Sequence, residues 1–188
     1  MIINFGRNNV NNWGFRIQGK QIQVGTEYKY LGIWLSNRKN YLDLHEQNLI
    51  KKAKRKLGGL SSKAFWSYNR FEILRTIWKS IGVPSLTTGN AILVIKSEIN
   101  QKLDTIQRQV GRLALGCGDK IANEYIQGEL GWSLFSDREA ESMIKYKGRL
   151  ENMGPERWPK AMYVAKNLWG AQVEFQVNKT AWGKRVNH

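Results

Sequence analysis

The chain has one cysteine, three prolines, two histidines and only fifteen acidic residues in 188. A lone cysteine, Cys117, excludes an internal disulfide, so a secreted disulfide scaffold is not expected. With His45 and His188 it also falls short of the roughly four Cys and His ligands of a structural zinc site. Cys117 sits in Gly116-Cys117-Gly118 and reads as a partly buried thiol; His45 reads as a solvated histidine on a helix. No apolar run approaches the roughly 20 residues needed to cross a bilayer. The start, residues 1–5, is too short for a signal peptide and lacks its basic region. The expectation is an intracellular protein, nuclear or cytoplasmic, neither secreted nor membrane-bound.

The scarce acids are also scattered. Two-metal nucleotidyl transfer needs clustered carboxylates, and the sequence holds no Asp-Asp and no Asp-x-Asp. Glu139 and Glu141 are two apart and would not face each other on a helix. Gly58-Gly59-Leu60-Ser61-Ser62-Lys63 lacks the GxxxxGK[ST] phosphate-loop spacing. No catalytic residue, metal, cofactor or small-molecule substrate is therefore expected. The chain is not expected to be an enzyme by itself.

What is abundant is positive charge. Thirty Lys and Arg give a net charge of +15. Folding gains nothing from such an excess, and nucleic acid or an anionic surface would compensate it. Residues 29–79 hold twelve Lys and Arg against three acids, Asp43, Glu46 and Glu72, which is nine of the fifteen surplus charges. The binding face is expected there. Lys51, Lys52, Lys54, Arg55 and Lys56 are five bases in six positions, with Lys51 and Arg55 one helical turn apart, as are Lys52 and Lys56. Lys20, Lys29 and Lys63 complete the candidate nucleic-acid contacts. Arg108 and Arg112 could instead pair with Asp104, and Trp132, Trp158 and Trp169 read as core.

The pattern along the chain is β first and helices afterwards. Residues 2–5 read as a short strand, 15–18 and 21–24 as a hairpin turning at Gly19-Lys20, and 28–35 as one longer strand. Gly32 reads as relief for a close backbone approach or a bulge. Tyr28 and Tyr30 read as hairpin core or as contact residues. A helix is expected over 41–57, stopped by Gly58-Gly59, with Leu42, Leu49, Ala53 and Leu57 on one stripe beside Ile50. A second is expected over 71–81, ended or kinked by Pro84 and followed by further helix to 95. Residues 98–115 form the cleanest amphipathic helix, closed by Gly116. Shorter helices are expected near 120–129, 137–152 and 156–169, with Ser136 and Glu139 as a capping box. This segregation predicts an α+β chain, mainly α, and not a βαβ nucleotide fold.

One series of motifs resembles a known family. Phe15-Arg16-Ile17-Gln18-Gly19-Lys20-Gln21-Ile22 followed by Tyr28-Lys29-Tyr30-Leu31-Gly32-Ile33-Trp34-Leu35 is similar to the hairpin and Y-K-Y-L-G block after the catalytic palm of non-LTR retrotransposon reverse transcriptases. Ile50-Lys51-Lys52-Ala53, Val83-Pro84 with Gly89, Gln107-Arg108 with Arg112 and Leu115-Gly116, Gly128 to Trp132, and Lys145-Tyr146 with Arg149-Leu150 and Met153 follow in the family's order. The resemblance covers about residues 2–169. It departs where Asn90 and Ile92 or Leu93 replace a Glu and Trp, and no zinc knuckle or endonuclease follows.

The resemblance implies a palm remnant with a primer-grip-like hairpin over 1–36, a helical thumb over 37–116, a helical connector over 117–169 and a tail over 170–188. The hairpin residues would be Phe15, Ile17, Gly19, Tyr28, Tyr30, Leu31 and Gly32. The basic helix would track RNA, DNA or an RNA–DNA hybrid. The family's Asp-Asp turn would precede Met1, so a palm and fingers portion is an implied partner and the chain is expected to be a fragment or remnant. The alternative expectation is a repurposed helical module whose basic face meets a protein.

Overall fold

The computed structural model describes residues 16–22, 25–37, 40–66, 68–118 and 120–172. The expected strand at 2–5, the hairpin residue Phe15, the Trp169 side chain and residues 173–188 of the tail lie outside the described part. The order of elements is β1 (Arg16–Ile17), β2 (Lys20–Gln21), β3 (Glu27–Tyr30), β4 (Ile33–Ser36), α1 (Asp43–Trp66), α2 (Arg70–Ile77), a π-turn (Trp78–Gly82), α3 (Val83–Leu86), α4 (Ser97–Leu115), α5 (Asn123–Leu130), α6 (Phe135–Glu151) and α7 (Trp158–Gln172). The chain is α+β and mainly α. No helix among the described residues is long and apolar enough to cross a membrane.

Two tight turns organise the strands. Gln18 and Gly19 have φ of 50° and 76°, and Leu31 and Gly32 have 48° and 88°. Consecutive positive φ values are the type I′ turn, whose twist suits a two-residue hairpin. The first turn is thus Gln18-Gly19, one residue earlier than expected, with Arg16 opposite Gln21 and Ile17 opposite Lys20. The second divides the stretch read as one long strand. β3 and β4 are antiparallel, with Tyr30 opposite Ile33 and Lys29 opposite Trp34. Gly32 serves this turn and not a close approach or bulge, because a Cβ there would lie 3.9 Å from its nearest neighbour, ordinary contact.

α1 does not stop at Gly58-Gly59. Beyond them Leu60 and Ala64 are buried and continue the stripe of Leu49 and Ala53. Burial of that face outweighs a propensity cost of about 1 kcal/mol per glycine. The second helix is α-helical to Ile77, and the helical run continues through the π-turn and α3 to Leu86. In the π-turn the fully buried Trp78 ring lies against Gly82; a Cβ at Gly82 would sit 2.4 Å from the indole. Pro84 occupies the first turn of α3, where its missing N–H costs nothing. The further helix expected to 95 stops at Leu86, and Gly89, at φ 91°, turns the chain toward α4.

α4 meets its expectation closely. Leu103, Ile106, Val110 and Ala114 are buried, and Gly116 closes the helix in the left-handed conformation. Its start is tied to α1: the Lys96 N–H donates to Glu46 at 3.0 Å and its ammonium to Asp43 at 2.6 Å. In its middle, Gln107 accepts from the Trp78 indole N–H at 3.2 Å and from Arg138 at 2.8 Å, and donates to the Ser133 carbonyl at 3.0 Å. Asp104 does not pair with Arg108 or Arg112 as a surface bridge. It is buried and accepts the Phe135 N–H at 2.9 Å, capping α6 from outside. Arg108 donates to Thr105, and Arg112 to Ile121 and Asn123.

The capping box at Ser136 and Glu139 does not form. Glu139 is fully buried and accepts from the Ile95 N–H and the Asn100 amide, at 2.8 and 2.6 Å. Such a buried carboxylate is worth more as a joint between elements than as an exposed cap. Trp132 is core, as expected, whereas Trp158 is 81% exposed at the start of α7.

The glycines separate helix propensity from packing. At Gly58 and Gly59 an added Cβ meets nothing within 4 Å, whereas at Gly111 it would lie 2.5 Å from the buried Leu130 side chain and 2.7 Å from Ile126. Gly58→Ala and Gly59→Ala should each stabilise the chain by about 0.5 to 1 kcal/mol. Gly111→Ala should destabilise it by about 1 to 3 kcal/mol. Urea unfolding of the three variants checks both signs.

Candidate nucleic-acid interface

The hairpin β3–β4 lies beside the first half of α1. The Trp34 N–H donates to His45 Nδ1 at 3.5 Å, a long bond, and the Ser36 N–H to the Tyr41 carbonyl at 3.2 Å. Ile33 packs against the Gly89 turn; a Cβ on Gly89 would lie 3.2 Å from its Cδ1. These contacts leave a groove of about 350 Å³ between the hairpin, α1 and the end of α3. Lys29, Gly32 and Trp34 line one wall, His45, Asn48, Leu49, Lys51, Lys52 and Arg55 the floor, and Ser85 and Thr88 the far end.

Four cations line this groove and no acid does. Their placement follows from helix geometry, since 48, 51, 52 and 55 share one side of α1. Lys29 arrives from the strand because it alternates with Tyr28 and Tyr30, and its ammonium lies 5.6 Å from the Trp34 ring centre. Burial, and then the charges of Lys56 and Lys29, push the Lys52 ammonium below its ordinary pKa. The groove therefore holds repulsion that an anion would relieve.

The candidate residues do not all share this surface. Lys52 donates to the Ser85 carbonyl at 2.6 Å and Lys56 to the Ile81 carbonyl at 3.4 Å. Both hold the π-turn and α3 against α1, so part of their charge has a structural use. Lys56 and Lys63 line a smaller, mostly apolar pocket of about 140 Å³ beside Trp78. Lys54 is exposed on α1 away from the groove lining, and Lys20 is exposed on β2 in the separate first hairpin.

Tyr28 and Tyr30 are not hairpin core. They are 42% and 57% exposed on the opposite face of β3 from Lys29. Leu31 and Ile17 are exposed as well, at 78% and 64%. Gly19 and Gly32 act through their turns. The hairpin thus leaves apolar side chains exposed.

His45 differs most from its reading as a solvated side chain. It is 3% exposed beneath the groove, and its Nε2 is buried with no partner among the described residues. Since Nδ1 accepts from Trp34, the neutral ring carries its proton on Nε2. The signal for its burial was its place near Leu42 and Leu49 on the inward side of α1. Among the described residues no group of three or more His, Cys, Asp or Glu side chains is placed to hold a metal ion. No protein-family model matches the chain, and no curated protein and no solved structure matches it.

Burial and the neighbouring Lys52 charge, in that order, lower the His45 pKa. The folded state then binds fewer protons than the unfolded state just below the ordinary imidazole value. Stability is therefore lost as pH falls below about 6.5 and through the lowered folded value. The melting temperature should drop between pH 7 and pH 5.5. His45→Gln should flatten that drop, as measured by thermal unfolding at each pH.

Proposed function

We propose that the groove binds the sugar–phosphate backbone of nucleic acid. In this reading the chain acts as the thumb and connector of a reverse transcriptase of the non-LTR retrotransposon kind, gripping RNA, DNA or their hybrid beside a polymerase portion that supplies the chemistry. The observation that carries it is the cluster of Lys29, Lys51, Lys52 and Arg55 in a groove with no acid in its lining. The ordered motifs from the hairpin to Met153 support the same reading. So does the position of the groove between a tight hairpin and a basic helix. Backbone contacts of this kind give affinity that is steep in salt and indifferent to sequence.

Four phosphate contacts correspond to a slope of about −3 to −4 for log affinity against log salt. Fluorescence anisotropy with a labelled RNA–DNA hybrid, titrated from low to moderate salt, should give that slope. Lys51→Ala with Arg55→Ala should make it shallower by about 1.5 to 2. Lys29→Glu, Lys51→Glu and Arg55→Glu together should abolish binding with the helical circular dichroism unchanged. Lys52 and Lys56 are left intact because they also hold backbone carbonyls. Affinity that ignores salt, or that survives in the folded triple variant, rejects the reading and favours a protein partner for the basic face.

A further inference from the structure

We infer that Tyr28 and Tyr30 form a stacking platform for unpaired nucleobases, so that the chain prefers a single-stranded segment to a closed duplex. This rests on the backbone-binding reading of the groove and adds what the bases do. The two rings are inclined by only 23° with 6.4 Å between their centres. Both are exposed, and they sit two residues apart on one face of β3. Lys29, between them, reaches the other face and lines the groove. A strand running along the edge of β3 would place its phosphates toward Lys29 and its bases toward the tyrosines.

The chemistry favours a nucleobase over other occupants. Tyr rings offer flat apolar faces with a polar tip, and every base has a π-face, so the contact tolerates any sequence. The neighbouring groove supplies cations for the phosphates that accompany such bases. In a duplex the bases are already stacked on each other, so only an unpaired stretch can use the platform. The tight Leu31-Gly32 turn holds β3 in register with β4, which keeps the two rings on one face.

The test compares three labelled oligonucleotides against the full chain at one salt concentration: a single strand of twelve nucleotides, an abasic strand of the same length and charge, and a blunt duplex. The base-bearing strand should bind about tenfold or more tighter than the abasic one, as one or two stacked bases provide. Tyr28→Ala with Tyr30→Ala should erase that difference while leaving the abasic affinity in place. Tyr28→Phe with Tyr30→Phe should preserve it. Equal affinity of the unaltered chain for base-bearing and abasic strands overturns the platform while leaving the groove reading standing. So does an Ala variant that keeps the full preference. Absence of binding to all three overturns both.

Discussion

The Gln107 side chain is the joint on which the rest of the molecule hangs. One amide oxygen takes the indole N–H of Trp78 and the guanidinium of Arg138, and the amide nitrogen reaches the Ser133 carbonyl. Gln107 and the Trp78 indole are buried, so neither has a cheap alternative partner. Through Trp78 the joint fixes the π-turn, whose ring needs Gly82 for space. The π-turn and α3 in turn present the carbonyls of Ile81 and Ser85 to Lys56 and Lys52. A polar contact in the centre of the molecule thus sets where the far end of a surface groove lies.

The basic groove is a product of two local geometries meeting. Helical spacing gathers Lys51, Lys52 and Arg55 on one side of α1, and strand alternation adds Lys29 from β3. The acids near this region are drawn elsewhere: Asp43 and Glu46 face Lys96 at the opposite junction of α1 and α4. Charge is segregated by packing, and the groove is left with one sign.

The sequence made some elements plain and concealed others, for physical reasons. α4 was legible because its apolar spacing is unbroken and a glycine ends it. The division of residues 28–35 was not, because Leu31 is an apolar side chain in a left-handed conformation that few such residues adopt. Gly32 inside a run of strand formers was the one hint. α1 was cut short by its glycines, although Leu60 and Ala64 continue the stripe and could have revealed it. Lys51, Lys52 and Arg55 were named from their helical spacing, and Lys29 from its place between Tyr28 and Tyr30. What spacing could not supply was that Lys52 and Lys56 are partly engaged by carbonyls, that His45 is buried, or that Glu139 joins two segments far apart in sequence. Those facts depend on which faces meet, and pattern along one helix does not contain them.

The crowding of like charges around Lys52 gives ionic strength two opposed effects on the same molecule. Added salt screens Lys29, Lys52 and Lys56 from one another, so the free fold gains from it. In the proposed complex the same ions would compete for phosphate contacts and weaken it. The chain at low salt is at once least comfortable alone and most attracted to a polyanion, and a partner that settles in the groove does part of the work that dissolved counterions would otherwise do.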